Sequence, residues 1–190
     1  NPEPPGFFEG GEILYKGQDV LKMSKKEIRK IRGREIGFVF QDPMTSLNPT
    51  MRVGAQIEEV FLGRTDVNKK EVKERAMDIM RLVGISDVEK RYKQYPHELS
   101  GGMKQRVMIA IALVSRPSVI ICDEPTTSLD VTIEAQILDL LLELREKLGT
   151  SIIMITHDLG VISRLCDRVV VMYGGKIVEK GEIGEIFYNT

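Results

Sequence analysis

The 190-residue chain has no tryptophan, only 6% aromatic residues and only two cysteines, Cys122 and Cys166. Both cysteines lie in apolar surroundings without metal-ligand spacing, which argues against a disulfide framework or a zinc module and suits a reducing compartment. Neither sign of charge is in excess. The 27 Lys+Arg and 28 Asp+Glu leave a formal net charge of −1, so there is no electrostatic basis for bulk polyanion binding. The longest apolar run, Val107 to Val114, has 8 residues, far short of the roughly 20 that a membrane-spanning helix needs. The first residues, Asn1-Pro2-Glu3-Pro4-Pro5-Gly6, show neither the basic start nor the apolar stretch of a signal peptide and begin without Met, so they read as an interior cut.

What is present suits a soluble globular protein: 42% hydrophobic and 29% charged residues, in a length that makes one domain, with room for a small lobe, and buries about 70% of the unfolded surface. Gly11 to Gly17 reads as a short strand ending at a glycine turn, one arm of a small antiparallel piece. Ser24 to Glu35 carries six basic residues (Lys25, Lys26, Arg29, Lys30, Arg32, Arg34) around Ile28 and Ile31 at helical spacing, which fits a solvated amphipathic helix better than an anion or membrane-surface patch. Ile36 to Phe40 is a compact apolar strand, and Gln41-Asp42-Pro43 reads as a helix-incompatible step that ends it. From Asn68 to Val83, Val72, Ala76, Ile79, Met80 and Val83 mark an amphipathic helix that stops before Gly84.

Met103 to Ser115 is apolar almost all round after Arg106, so that helix is expected to be buried on most sides until Pro117 prevents its continuation. Val119 to Cys122 is a continuous apolar strand of the parallel-sheet kind, and Val131 to Leu148 is a long helix. Ser151 to Thr156 is the next strand, a short helix carries Val161, Ile162 and Leu165, and Val169 to Tyr173 is a further strand. Gly174-Gly175 turns a hairpin into Lys176 to Glu179. Strand and helix alternate, which predicts an α/β protein with a mostly parallel core.

Ligands of open parallel sheets collect at the carboxyl ends of the strands. Three such ends offer Gln41, the pair Asp123-Glu124, and His157-Asp158. Adjacent carboxylates there point in different directions, so one can hold a cation while the other takes a proton; two acids capping a turn fit the same residues. Ser100-Gly101-Gly102 places an N-cap and two glycines at the start of a helix, where free N–H groups and missing side chains admit a phosphate, although an ordinary capped helix looks the same. His157 can donate to a phosphate oxygen, and a lone histidine is as often structural. No role is assigned to His97.

Together these pieces resemble the nucleotide-binding subunit of an ABC transporter. Val39-Phe40-Gln41-Asp42-Pro43 looks like the Q-loop and Leu99 to Gln105 like the signature motif. Val119 to Glu124 resembles the Walker B strand with its glutamate, Thr127-Ser128-Leu129-Asp130 the D-loop, and Thr156-His157-Asp158 the H-switch. These occur in the family's order and spacing from about Gly11 to Glu185. The strings Phe40 to Pro49, Tyr95 to Leu99 and Asp123 to Thr132 are similar to the dipeptide/oligopeptide branch of importers, which shares them with nickel importers; peptide ranks above nickel.

The resemblance implies an ABC ATPase fold of the P-loop-NTPase kind, a mostly parallel sheet with helices on both faces plus a helical signature subdomain. Residues 1–35 would be the remnant of an antiparallel lobe and basic helix, 36–50 the Q-loop strand and loop, 51–116 the helical subdomain, and 117–190 the Walker B, D-loop and H-switch part of the core. The implied chemistry is ATP hydrolysis with Mg²⁺. Asp123 helps hold the metal through water, Glu124 is general base, His157 contacts the γ-phosphate, and Gln41 senses metal and water while coupling to the membrane subunit. Ser100, Gly101, Gly102, Gln105 and Asp130 form the nucleotide-binding set, with Ser100 and Gly102 contacting ATP on the opposite subunit and Asp130 crossing the dimer interface. Implied partners are transmembrane permease subunits, a second ATPase subunit of identical or related sequence and, indirectly, a solute-binding protein, with no nucleic acid. The implied location is cytoplasmic, peripheral on the inner face of the membrane.

One element of the family is missing from the sequence. No G-x-x-x-x-G-K-[ST] occurs; Gly175-Lys176-Ile177 fails at both Val170 and Ile177. The expectation is a fragment lacking the Walker A loop and its strand, which neither binds ATP tightly nor hydrolyses it alone, because a nest of N–H groups and a lysine normally carry the phosphates. The absent strand is expected to leave an open sheet edge that lowers stability or invites self-association. Two alternatives compete: a soluble ABC-type ATPase acting on nucleic acid or ribosomes, disfavoured by the near-neutral charge, and a non-catalytic regulatory module, which has no use for Gln41, Asp123, Glu124 and His157 together.

Overall fold

A computed structural model describes residues 10–62, 68–127 and 129–188. The chain opens with two antiparallel two-residue strands, β1 (Leu14–Tyr15) and β2 (Gln18–Asp19), in the place expected for a small antiparallel piece. The basic segment forms α1 (Lys25–Ile31). Ser24 caps it reciprocally, its hydroxyl accepting from the Glu27 N–H while the Glu27 carboxylate accepts from the Ser24 N–H. β3 (Ile36–Val39) then leads to a short helix, α2 (Pro43–Ser46).

This corrects the expectation that proline excludes a helix after Gln41. Pro43 sits at the first helical position, where its missing N–H leaves nothing unsatisfied, and Asp42 caps the helix by accepting from the Met44 N–H at 2.7 Å.

A helical layer follows: α3 (Val53–Glu59), α4 (Lys69–Leu82), α5 (Val88–Arg91) and α6 (Gly101–Leu113). Asn68 and Ser100 cap α4 and α6. Within the layer the buried amide of Gln56 bonds the N–H of Asn48 (2.9 Å) and the carbonyls of Asn48 (3.0 Å) and Met51 (2.9 Å), fixing the turn that precedes α3. The remainder is β4 (Val119–Asp123), α7 (Val131–Leu148), β5 (Ser151–Ile155), α8 (Leu159–Leu165), β6 (Arg168–Tyr173), β7 (Lys176–Glu182) and α9 (Ile183–Tyr188). Gly174 and Gly175, both at positive φ, make the turn between β6 and β7.

The central sheet is parallel, in the order β3-β4-β5, while β6 and β7 pair with each other in a separate antiparallel ribbon. Side chains alternate across the central sheet. Val39, Ile120 and Cys122 are buried on one face, toward the helices, whereas Phe38, Ile153 and Ile155 on the other face are exposed. Val107, Ile109 and Leu113 of α6 are buried between this layer and the core side chains Ala76, Ile79 and Met80 of α4 and Ile137, Leu141 and Leu144 of α7. At 25 cal/mol per Å² such burial dominates stabilisation, and it accounts for the uninterrupted apolar run in α6. Among the described residues β5 has no partner beyond β4 and is an open edge. A cavity of about 550 Å³ separates it from β6, lined by Ser151 to Met154 and Val170. Both cysteines are unpaired, and burial pushes the Cys122 thiol up to about 12.

Candidate functional site

The three parallel strands end side by side. Val39 pairs with Cys122, and Asp123 with Ile155, so residues that follow β3, β4 and β5 emerge on one edge. Gln41 stands two residues past β3, Glu124 immediately past β4, and His157 two past β5.

Local sequence aims each of them. Asp42 and Pro43 start α2 directly after Gln41. Asp158 caps α8, accepting from Gly160 (2.7 Å) and Val161 (3.3 Å), and its own N–H donates to the Thr156 hydroxyl, so His157 is held between a strand end and a capped helix. The Glu124 N–H continues the sheet ladder by donating to the Ile155 carbonyl at 2.9 Å. Its φ of +43°, in the left-handed region that non-glycine residues seldom occupy, turns the side chain out of the strand.

These residues converge on one carboxylate. Gln41 Nε2 donates to Glu124 Oε2 at 2.8 Å, and the Thr127 hydroxyl donates to the same oxygen at 3.0 Å. His157 Nδ1 lies 3.0 Å from Oε1. The hydrogen bond from His157, followed by that from Thr127, holds the Glu124 carboxyl below the usual glutamate range, and Glu124 in turn raises His157 above 6.5. With Nδ1 engaged, Nε2 of the exposed ring is free to face an oxyanion.

Asp123, the half-buried last residue of β4, stands beside this network rather than in it. A single strand-end carboxylate, with Gln41 beyond the end of the neighbouring strand, suits Mg²⁺, which takes one or two carboxylates and completes its shell with phosphate and water oxygens. Among the described residues no group of three or more His, Cys, Asp or Glu forms a dedicated metal cage.

The signature residues occupy a separate place. Ser100 caps α6, its hydroxyl accepting from the Met103 N–H at 3.4 Å. Gly101 is exposed, and Gly102 lies against α7, where a Cβ would stand 2.9 Å from Ile133 Cγ2. The first turn of α6 therefore presents bare backbone. Gln105 does not share that exposed turn: it is fully buried and its amide has no hydrogen-bond partner among the described residues. Asp130 is exposed and caps α7 by accepting from the Ile133 N–H at 3.0 Å. Ser128, within the D-loop string, lies outside the described residues.

Two contacts escaped the sequence reading. The Thr127 hydroxyl is one; a Thr three residues after a strand-end Glu was the available signal. The other is Lys104, buried in α6, whose Nζ reaches Met44 Sδ at 2.8 Å and ties the signature helix to the short helix after Gln41.

Comparison with known proteins agrees with this geometry. The family model described as ABC transporter matches residues 3–127. The oligopeptide transport ATP-binding protein OppD of Bacillus subtilis is 57% identical over 188 residues, covering 99% of this chain and 52% of the relative. The dipeptide transport ATP-binding protein DppD of the same organism is 52% identical over 179 residues, covering 94% and 53%. The chain thus spans about half the length of the curated relatives it matches. Among solved structures, the Clostridium perfringens component of the cbiONQ ABC transporter complex superposes with a TM-score of 0.82 at 33% identity, covering 95% of this chain and 69% of that one. A dimeric ATP-binding cassette in a post-hydrolysis state with ADP and phosphate gives 0.79 at 29% identity, covering 92% and 74%.

Proposed function

The chain belongs to the ABC transporter family, and from that premise we propose that it forms the hydrolytic part of the ATP-driven motor of a peptide importer. The observation that carries the reading is the single carboxylate of Glu124, gripped from three adjacent strand-end loops by an amide, an imidazole and a hydroxyl.

In this reading the ionised Glu124 accepts a proton from the water that attacks the γ-phosphorus of ATP as the bond to ADP breaks. Its depressed pKa keeps it in the basic form at neutral pH. His157, whose contact with Glu124 favours the charged form, donates from Nε2 to a γ-phosphate oxygen. Asp123 and Gln41 would hold Mg²⁺, which when bound neutralises phosphate charge. The bare turn at Ser100, Gly101 and Gly102 faces nucleotide held by a second ATPase subunit, and Asp130 serves the same interface while capping α7.

Residues 51–116 act as the helical subdomain and 117–190 as the Walker B, D-loop and H-switch part of the core, with Gln41 and α2 reporting site occupancy to transmembrane permease subunits that a solute-binding protein serves. No described helix is long and apolar enough to cross a membrane, which fits a subunit docked on the cytoplasmic face. Peptides are the proposed cargo because the relatives at 57% and 52% identity are named for oligopeptide and dipeptide transport.

The test is ATP turnover by the full-length protein reconstituted with its permease subunits. Glu124→Gln removes the general base, and a loss of about 10³-fold in kcat with ATP binding retained is expected. Turnover within tenfold of wild type in that variant would overturn the assignment.

A further inference from the structure

Of the three groups on Glu124, two have other duties in the reading above: Gln41 toward metal and permease, His157 toward the γ-phosphate. Each reaches Glu124 from a different strand-end loop, so its hold on the carboxylate depends on where that loop sits. Thr127 differs. It lies on the loop that carries Glu124, only three residues on, and the loop is closed on itself: the Thr127 N–H donates to the Glu124 carbonyl at 3.3 Å and the Leu129 N–H to the Thr126 carbonyl at 3.0 Å. The distance from its hydroxyl to Glu124 Oε2, 3.0 Å, is therefore set within one turn and does not depend on how the loops after β3 and β5 move.

The neighbouring threonine is already committed elsewhere. Thr126 is buried, and its hydroxyl donates to Glu134 Oε1 at 2.7 Å, anchoring the turn to α7. Thr127 is exposed, and Glu124 is the acceptor of its hydroxyl. The tandem thus divides its work, one hydroxyl holding the loop and the other holding the carboxylate.

An ionised carboxylate offers about four acceptor sites. Three are occupied here, two on Oε2 by Gln41 and Thr127 and one on Oε1 by His157, so the fourth, on Oε1, is open to the attacking water while Thr127 holds Oε2 in place. We infer that Thr127 is a positioning residue that orients the Glu124 carboxylate for proton abstraction throughout the hydrolytic cycle. It touches neither water nor nucleotide and acts only through Glu124, so the inference rests on the proposed role of Glu124 as general base.

The experiment compares Thr127→Val, Thr127→Ser, Glu124→Gln and the Thr127→Val/Glu124→Gln double variant in the full-length protein with its permease. Valine keeps the shape and removes the donor, and serine restores it. Expected are a fall of about tenfold to fiftyfold in kcat for Thr127→Val with KM for ATP within twofold of wild type, a kcat within threefold of wild type for Thr127→Ser, and a double variant no slower than Glu124→Gln alone, as for residues acting as a unit. Equal losses for valine and serine, wild-type kcat for Thr127→Val, or an undiminished valine effect in the Glu124→Gln background would each overturn the inference. The two readings separate cleanly: turnover surviving in Glu124→Gln refutes the general base itself, whereas loss there with a wild-type Thr127→Val refutes only the positioning role.

Discussion

Replacing Gly37 by alanine tests how tightly the strand that delivers Gln41 is locked to the signature helix. Gly37 is buried in the middle of β3, and a Cβ built there would lie 2.4 Å from the Ala112 carbonyl oxygen, 3.1 Å from its carbon and 3.2 Å from Ile120 Cγ2. The backbone at Gly37 is one that alanine adopts without strain, so the whole cost is steric. The obstacle is helix backbone rather than a flexible side-chain tip. Restoring ordinary contact near 3.4 Å requires β3 and α6 to part by about 1 Å. Overpacking of this kind costs about 3 kcal/mol, and alanine returns about 0.5–1 kcal/mol of chain entropy. The net loss is about 2 kcal/mol, a factor of about 30 in the unfolding equilibrium, or about 4–8 °C in Tm for a chain of this size. Urea unfolding followed by circular dichroism measures it, with Gly184→Ala as control: no atom lies within 4 Å of a Cβ there, so that variant should match or exceed wild type. A loss below about 0.5 kcal/mol for Gly37→Ala with an unchanged denaturant slope would refute the close-approach argument.

Two further outcomes follow from the structure. Gln56→Leu removes the partners of the Asn48 N–H and of the Asn48 and Met51 carbonyls at a part-buried turn, so it should lower stability by about 1 kcal/mol; a melting temperature within 1 °C of wild type would contradict this. His157, facing Glu124 with Asp158 adding a smaller effect, should titrate above 6.5 in a nuclear magnetic resonance experiment and fall back toward 6.5 in Glu124→Gln. Because His157 is raised and Glu124 lowered on folding, their contact stabilises the fold between the two pKa values. It fades as pH rises through that of His157 and, at the acid end, as pH falls through that of Glu124. An unshifted midpoint in wild type would show that the pair is not formed in solution.

Much of this molecule was legible without coordinates because its determinants are local. Compact apolar runs mark β3, β4 and β5, Ser100 is a recognisable cap, and Gly174-Gly175 is a hairpin turn, each following from residue type or a side-chain-to-backbone bond within a few residues. Gln41, Glu124 and His157 could be proposed from their positions after strands, since parallel sheets gather strand ends on one edge. The helix at Pro43 was misjudged because the same proline either breaks a helix or begins one, and only the Asp42 cap decides between them.

The tertiary structure alone decided how far the site reaches. Spacing placed Gln41 83 residues from Glu124, but no spacing specifies a 2.8 Å hydrogen bond, which requires β3 and β4 to be in register. The burial of Gln105, the pairing of Lys104 with Met44, and the division of Thr126 and Thr127 between α7 and Glu124 all depend on which helix packs against which face. The sequence by itself determined the elements and the chemistry at their ends, because those depend on periodicity and residue type. The direction each side chain faces was set by long-range packing, which brings together groups that the chain keeps far apart.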